Sequence, residues 1–396
     1  MLEPAGHGQP FPRGFLRIAG ASLAQHQLGL ALALDCQRLI CLARGPSAEL
    51  IALQHHAEAA GMRFHIVAGP QQLSTLVTAA DELIVISEGL FAEGADVAPL
   101  LEGRSSVVLA LPDDGAVAEG FERLDINNAA AGLMRIPGAL IERLHDLPPD
   151  VDAASALTRV ALQAGAQMRQ LPVDARATGT WKMVRSEGEA LTIEAEWLRS
   201  RLAASRSATA SDRLARAGVL SFGASLLHAG NASSAASIGC VLALVLALCS
   251  AWLGSPALAF VLAALGWVLV RATDLLRGAE RQAYSVAAPA IPRADALGWL
   301  VDASLVAICV MAAPSSQQLL PLGLADHIFA PVMLMLMLHL IPRLLLDGLA
   351  GWACDRSVLA LVLCAAAAVD CLGPVIRLLA LGLTVAGILL PPRRSH

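Results

Sequence analysis

Five charged residues end a long apolar run in the second half of the chain. The segment VLVRATDLLRGAERQAY (268–284) contains Arg271, Asp274, Arg277, Glu280 and Arg281. Carboxylates can hold divalent cations, and guanidinium groups bind phosphates. The arginines alone fit a second role, because basic residues mark the cytoplasmic ends of membrane spans whereas acidic residues contribute little to that signal. The mixture of both charges therefore favours metal and phosphate chemistry beside an apolar helix.

A further acidic residue, Asp302, lies inside the next apolar run, GWLVDASLVAICV. An ionisable side chain within a membrane span is costly and is by default a candidate functional residue. Gly298 lies four residues earlier on the same helix face, where it can admit a neighbouring helix or a ligand beside the carboxylate. The alternative is a helix that starts slightly later and leaves Asp302 at the membrane interface.

The composition predicts that the elements around these residues are membrane helices. Of the 396 residues, 56% are hydrophobic and only 15% are charged, which is too apolar for an ordinary soluble protein of this size. Charged residues recur before about residue 216, whereas 217–270 contains no Asp, Glu, Lys or Arg. We expect a cytoplasmic domain over 1–205, an amphipathic helix at the membrane interface over 206–232, and a transmembrane domain over 233–396.

The apolar runs of the C-terminal half predict six membrane spans, each measured against the roughly 20 helical residues that cross a bilayer core. The predicted spans cover about 234–253, 256–272, 296–313, 324–342, 356–372 and 374–391. Arginines cluster on alternate connections, and the opposite connections carry almost no basic residue. The positive-inside rule then predicts a multi-pass protein of the inner (plasma) membrane with both termini in the cytoplasm.

The N-terminal half shows the pattern of an α/β domain. Four short apolar runs read as strands: RLICLA (38–43), RFHIVA (63–68), ELIVIS (82–87) and SSVVLAL (105–111). Helical segments separate them, which is the rhythm of an α/β fold with a mainly parallel sheet. No basic start with an apolar core is present at the N-terminus, so no signal peptide is expected.

Several functional classes receive no support from the sequence. A net charge of −5 gives no reason to expect nucleic acid as a partner. The eight cysteines form no Cys-x-x-Cys pair, and most lie in apolar runs, so buried thiols are expected rather than disulfides or a zinc site.

The predicted membrane half resembles the CDP-alcohol phosphotransferases, a family with the motif D-G-x2-A-R-x8-G-x3-D-x3-D. Gly298 and Asp302 match its G-x3-D segment, while Asp274 with RGAERQ (277–282) is a loose match to its first part. The resemblance implies a metal site made by Asp274, Glu280 and Asp302, to which Asp295 could add a carboxylate. It also implies phosphate binding by Arg277, Arg281 and Arg293 with Gly298.

Val306 stands where that family has its last Asp, which takes the acceptor's proton. The residue that would act as general base is therefore missing, and no catalytic residue can be named. If the protein is active, the resemblance implies Mg²⁺ or Mn²⁺ as cofactor; otherwise it implies none.

The N-terminal half resembles the MobA-like nucleotidyltransferases. The segments that carry this resemblance are 11–44, ELIVISEGLF (82–91), 127–144 and GTWKMVRSEGEALTIEAEWLRSRL (179–202). It implies that Arg13 and Glu88 bind nucleotide phosphates and metal. The second metal-binding Asp of that family falls at Lys182 or Met183, which cannot replace it.

Together the two resemblances imply one of two functions. The first is an integral membrane enzyme of phospholipid or polar-lipid synthesis that transfers a phospho-alcohol from a CDP-alcohol to an acceptor alcohol. The second is an inactive relative that acts as a membrane-bound binding or scaffold partner of lipid-synthesis enzymes. Either would bind membrane lipid, with a CDP-alcohol or cytidine nucleotide and a second copy of the chain as further candidate partners.

Overall fold

The structure is a computed structural model of the chain. It describes residues 11–103, 106–146, 152–172, 174–177, 179–204, 209–228, 232–284, 293–312, 321–344 and 355–389. The chain divides into two compact units. An α/β unit comprises residues 1–201 and 280–286, and a helical unit comprises 202–279 and 287–396.

The α/β unit contains ten strands in its described part. They are β1 (Arg17–Ile18), β2 (Ala21–Ser22), β3 (Arg38–Leu42), β4 (Arg63–Val67), β5 (Glu82–Ile86), β6 (Leu90–Ala92), β7 (Val107–Pro112), β8 (Asn128–Pro137), β9 (Gln167–Gln170) and β10 (Trp181–Met183). The four runs that the sequence predicts as strands correspond to β3, β4, β5 and β7. These predictions are confirmed.

The sheet is mixed rather than mainly parallel. Its four-stranded part has the order β5-β8-β7-β9, and β8 runs antiparallel to both of its neighbours, while β7 pairs with β9 in parallel. A separate pair, β3 with β4, is parallel. The connection from β7 to β8 contains no helix, and a parallel neighbour would need such a crossover. The absence of a helix from this described connection fits the antiparallel pairing of β8 with β7.

The helices of this unit flank the strands. They are α1 (Leu23–Ala33), α2 (Ala48–Ala59), α3 (Leu73–Leu76), α4 (Gly94–Leu101), α5 (Ala153–Gln163), α6 (Asp174–Ala177) and α7 (Glu187–Ala204), with 3₁₀ helices at Arg13–Phe15, Pro70–Gln72 and Gly138–Asp146. The start of α1 is fixed by a capping box, in which Ser22 and Gln25 satisfy each other's backbone N–H groups. Ser47 and Asp152 cap α2 and α5 in the same N-terminal role.

Both faces of the central strands β7 and β8 are buried. Leu109 and Leu133 belong to one apolar cluster, and Val108 and Ile136 belong to another. Trp181 is fully buried, and its indole Nε1 donates a hydrogen bond to the carbonyl oxygen of Ala131 at 2.8 Å. Successive side chains of a strand point to opposite faces of the sheet, so the same strands contribute residues to both apolar clusters.

The helical unit contains α8 (Ala210–His228), α9 (Ala232–Trp252), α10 (Pro256–Tyr284), α11 (Arg293–Met311), α12 (Pro321–Leu344), α13 (Arg356–Ala368) and α14 (Leu372–Leu389). Helices therefore lie at all six predicted span positions. Two of them, over Ala232–Trp252 and Pro256–Gly278, are long and apolar enough to cross a membrane; the apolar stretches of the others are shorter.

The core of this unit takes one or more apolar residues from each of the six helices. Examples are Leu244, Phe260, Leu305, Leu334, Leu363 and Ile376. Large apolar side chains also point outward, including Leu242, Leu246 and Leu258. Exposed large apolar side chains of this kind are compatible with contact to lipid or to a protein partner.

Helix α8 lies where the sequence predicts an amphipathic helix at the membrane interface. Ala215 and Val219 are buried, whereas Leu214 and Phe222 are exposed together with Arg213. The exposed face thus carries both apolar and basic groups.

Candidate functional site

An ion pair in the helical unit joins Asp302 of α11 and Arg356 of α13. Arg356 Nε donates to Asp302 Oδ1 at 3.1 Å, and Arg356 Nη2 donates to Asp302 Oδ2 at 3.3 Å. Both side chains are close to nine-tenths buried. This two-point contact is the geometry that arginine forms with carboxylates, so the charge of Asp302 is matched inside the bundle.

His339 of α12 joins this pair. Arg356 Nη2 lies 3.0 Å from His339 Nδ1, and His339 Nε2 lies 3.5 Å from Asp302 Oδ2. A guanidinium group can only donate hydrogen bonds, so Nδ1 must accept here and the proton of a neutral imidazole is on Nε2. That proton faces the carboxylate.

Trp267 of α10 and Gly298 of α11 complete the cluster. The guanidinium carbon of Arg356 lies 4.9 Å from the centre of the Trp267 ring, within the range of a cation–π contact. A Cβ atom on Gly298 would lie 3.7 Å from Trp267 Cζ3. The glycine predicted to admit a neighbour beside Asp302 therefore faces a tryptophan of the adjacent helix.

The charged end of α10 forms a second, separate network. Arg271 Nε donates to Asp212 Oδ1 of α8 at 2.7 Å, and Arg271 Nη1 lies 3.6 Å from Asp274 Oδ2. Arg277 Nη2 donates to the hydroxyl oxygen of Ser237 on α9 at 3.0 Å. The predicted metal ligands Asp274 and Asp302 thus have different arginine partners.

For the remaining predicted site residues of the helical half, the structure describes the position in a helix but not every side chain. Glu280 and Arg281 lie in the last turns of α10, and Arg281 is partly buried. Arg293 begins α11, and Asp295 follows it within the first turn. The side chains of Glu280, Arg293 and Asp295 lie outside the described residues, so their predicted roles stay predictions.

In the α/β unit, the residues after β5 form a tight turn over 87–90 that holds Glu88. Gln27 of α1 donates through Nε2 to the carbonyl oxygens of Ser87 and Leu90, each at 3.0 Å. Gly89 has φ +89°, and a Cβ there would lie 2.7 Å from the carbonyl oxygen of Val184. Only glycine fits this position, since both its backbone angle and its contact exclude a side chain.

Residues that the resemblance to the nucleotidyltransferases names lie close together around this turn. The N–H of Gly14 donates to Glu88 Oε1 at 3.2 Å, and Arg13 Cδ lies 3.6 Å from the Cβ position of Gly89. Met183 pairs with Leu90 across β6 and β10, with its sulfur 3.4 Å from the same Cβ position. The structure therefore brings Arg13, Glu88 and Met183 around one glycine.

The described residues do not fit the Mg²⁺ or Mn²⁺ that the resemblances imply. Such ions take several oxygen ligands, and among the described residues no group of three or more His, Cys, Asp or Glu side chains could hold a metal ion. Asp302 is engaged by Arg356, and Asp274 by Arg271. Beside Glu88, Met183 offers a thioether, which is a soft ligand.

Thiol chemistry is equally disfavoured in the α/β unit. Burial raises the pKa of the Cys41 thiol to about 11, and nearby charges add smaller effects. A thiol with that pKa stays protonated at neutral pH and is a poor nucleophile. Of the seven cysteines in the described part of the chain, Cys41, Cys240 and Cys309 are buried as predicted, whereas Cys249 is exposed.

Three residues of the Asp302 cluster were not predicted from the sequence as site residues. They are Trp267, His339 and Arg356. A signal existed, because an acidic residue in an apolar helix requires a partner, and His339 stands alone in the run MLMLMLHLI. Arg356, one of the arginines on the connections that the positive-inside rule uses, is the partner that carries the opposite charge.

Comparison with known proteins adds no further identification. No protein-family model matches the chain, and no curated protein matches it.

Proposed function

We propose that the protein is a membrane-bound, non-catalytic relative of lipid-synthesis enzymes that acts as a binding or scaffold partner. The observation that carries this proposal is the ion pair of Asp302 with Arg356. An acidic side chain whose two oxygens receive hydrogen bonds from a buried arginine is poorly placed to hold a metal ion. The resemblance places the second metal-binding Asp at Lys182 or Met183, neither of which is a carboxylate, and the position of Met183 beside the Glu88 turn supports the same interpretation of the α/β unit.

The membrane arrangement is part of the proposal. Two helices have the length and composition of spans, and α11 to α14 lie at the other predicted positions. We propose that all six cross the inner membrane, that both termini are cytoplasmic, and that α8 lies along the cytoplasmic interface. Cysteine accessibility tests this: labelling by a membrane-impermeant reagent should differ between Leu253→Cys, on the exposed connection after α9, and Arg213→Cys, on α8.

The ligand proposed for the α/β unit is a cytidine nucleotide or a CDP-alcohol, bound at the turn over 87–90 without turnover. A tight glycine turn, the Arg13 side chain and the Gly14 backbone converge there. Calorimetry of the full-length protein in detergent with CDP and CTP measures this binding. Gly89→Ala should weaken it, while Gly45→Ala, whose new Cβ meets no atom within 4 Å, serves as the control.

The decisive experiment separates binding from catalysis. Cells lacking the protein are complemented with wild type or Asp302→Asn, and their polar lipids are compared, with membrane abundance checked by immunoblot. A non-catalytic protein should restore the lipid profile equally well with either chain. Loss of restoration by a normally abundant Asp302→Asn variant would contradict the proposal.

The second candidate function is the CDP-alcohol phosphotransferase reaction. It is favoured by the grouping of Arg271, Asp274 and Arg277 with Ser237 and Asp212 at one end of α10. Purified protein would then release CMP from a CDP-alcohol in the presence of an acceptor alcohol and Mg²⁺ or Mn²⁺. Asp274→Asn should abolish that release, whereas a non-catalytic protein should show none with either chain.

A further inference from the structure

The carboxylate of Asp302 is bound in a way that resembles cation coordination. Arg356 presents one N–H to each carboxylate oxygen, at 3.1 and 3.3 Å, and supplies a full positive charge. A divalent cation would need to reach the same two oxygens. Because the Arg356 guanidinium contacts both carboxylate oxygens of Asp302, a cation could bind these oxygens only by displacing the arginine.

Residues other than Asp302 also fix the position of the Arg356 side chain. Its guanidinium lies against the Trp267 ring and donates to His339 Nδ1 at 3.0 Å. Its backbone begins α13, where Asp355 caps the helix by accepting a hydrogen bond from the N–H of Ser357 at 3.0 Å. The side chain is therefore fixed by three helices besides its own.

The geometry of His339 and Asp302 would suit a metal if the arginine were absent. His339 Nε2 and Asp302 Oδ2 are 3.5 Å apart, and an ion about 2.1 Å from each of two adjacent ligand atoms holds them roughly 3 Å apart. With Arg356 present, Nδ1 must accept, so Nε2 carries the proton and cannot bind a metal. Removal of Arg356 frees Nδ1 to take that proton.

We propose that Arg356 is the built-in counter-ion of Asp302 and that it keeps divalent cations from a latent Asp302–His339 site. The proposal rests on the non-catalytic function proposed above and deepens it, because it names what fills the place of a metal ion. Carboxylate and imidazole together suit Mn²⁺ and Zn²⁺. Arg356→Ala should therefore convert the ion pair into a metal site.

The test counts Mn²⁺ bound to full-length protein in detergent by electron paramagnetic resonance. The chains compared are wild type, Asp302→Asn, Arg356→Ala and the double variant Asp302→Asn/Arg356→Ala. We expect Arg356→Ala to bind one Mn²⁺ per chain more than wild type, and the double variant to lose that ion. Arg277→Gln, which removes a different arginine of the helical unit, should gain none.

The outcomes separate this proposal from the proposed function. If folded Arg356→Ala gains no ion, the counter-ion proposal is overturned while the non-catalytic function stands. If wild type already binds an Mn²⁺ that Asp302→Asn removes, both are overturned. Arg356→Gln, which keeps an amide donor for Asp302 without the charge, replaces Arg356→Ala if the alanine variant does not fold.

Discussion

The carboxylate of Asp355 accepts a hydrogen bond from the backbone N–H of Ser211, 144 residues earlier in the chain, at 3.0 Å. Its other oxygen accepts from the N–H and the hydroxyl of Ser357, at 3.0 and 2.7 Å. One buried side chain thus caps α13 and also satisfies an N–H in the first turn of α8. These bonds lower the pKa of Asp355, outweighing burial, which is the largest single influence and raises it.

Asp355→Ala should destabilise the helical unit by about 2 kcal/mol, since the substitution removes the caps of two helices and a single cap is worth about 1 kcal/mol. Thermal unfolding of the full-length protein in detergent measures the change. Ser357→Ala removes the serine hydroxyl but leaves both backbone bonds to Asp355, so its effect should be clearly smaller. Equal effects of the two variants would contradict the double-cap interpretation.

The Asp302–Arg356 pair predicts strong coupling between the two side chains. Arg356→Gln leaves the buried carboxylate of Asp302 without an opposite charge and should cost about 3 kcal/mol of stability, whereas Asp302→Asn/Arg356→Gln, which removes both charges, should cost less than the single change. A double-mutant cycle on urea or thermal unfolding gives the coupling energy. Additive effects would mean that the pair contributes nothing as a pair.

The sequence predicted strands well where local pattern decides them. The runs at 38–43, 63–68, 82–87 and 105–111 are β-branched or apolar and are bounded by turn residues, and each became a strand. The region of β8 is not among these runs and lies in the segment 127–144, which carries the resemblance to the nucleotidyltransferases. Its first residues, NAAAG, contain alanine and glycine, which are not strand formers, so packing between β5 and β7 decides this strand.

The candidate site was predictable only in part, for a physical reason. Asp302 stands out because it is an ionisable residue in an apolar run. Its partner Arg356 comes 54 residues later, and nothing in spacing along a chain shows which helices pack together. The turn over 87–90 was found through the resemblance, and the roles of Gln27 and Gly89 became visible only in three dimensions.

The contacts of the Asp81 carboxylate predict that the α/β unit becomes less stable at acid pH. Hydrogen bonds from the N–H and hydroxyl of Thr78, together with an ion pair to Arg38 at 2.7 Å, hold the pKa of Asp81 at about 2. Because the pKa of Asp81 is lower in the folded than in the unfolded state, its ionised carboxylate stabilises the fold. This contribution is fully present above the unfolded pKa of about 3.9 and is lost as the pH falls through the folded pKa. Unfolding of wild type and Asp81→Asn should therefore differ at pH 6 and converge toward pH 2. A difference that persists unchanged at pH 2 would contradict this assignment.

Gly138 marks a close approach of two backbone segments. A Cβ on Gly138 would lie 2.0 Å from the carbonyl oxygen of Thr78, and its N–H already donates to the carbonyl oxygen of Asp81 at 2.7 Å. Gly138→Ala should therefore cost about 2 kcal/mol, as overpacking against backbone does. Gly45→Ala, where the new Cβ meets nothing within 4 Å, should stay within about 0.5 kcal/mol of wild type. Equal stabilities of the two variants, measured by thermal unfolding, would show that the segment moves to accept the methyl group.

The turn over 87–90 predicts that a metal site can be rebuilt there by one substitution. Met183 lies on the strand opposite Leu90, and its sulfur is 3.4 Å from the Cβ position of Gly89, next to Glu88. Met183→Asp places a second carboxylate beside the first, and two carboxylates are the hard oxygen ligands that Mn²⁺ prefers. Calorimetry of the full-length protein should then detect one Mn²⁺ that wild type does not bind, and Glu88→Gln/Met183→Asp should lose it.

Met168→Asp, which adds the same charge at an exposed position of β9, is the matched control for that gain. If Met168→Asp gains Mn²⁺ equally well, the binding reflects added negative charge and not the geometry of the turn. If Met183→Asp folds but gains no ion, Glu88 is too firmly held by the Gly14 N–H to serve as a ligand. In that case the likeness of this turn to a nucleotidyltransferase metal site would be one of backbone shape alone.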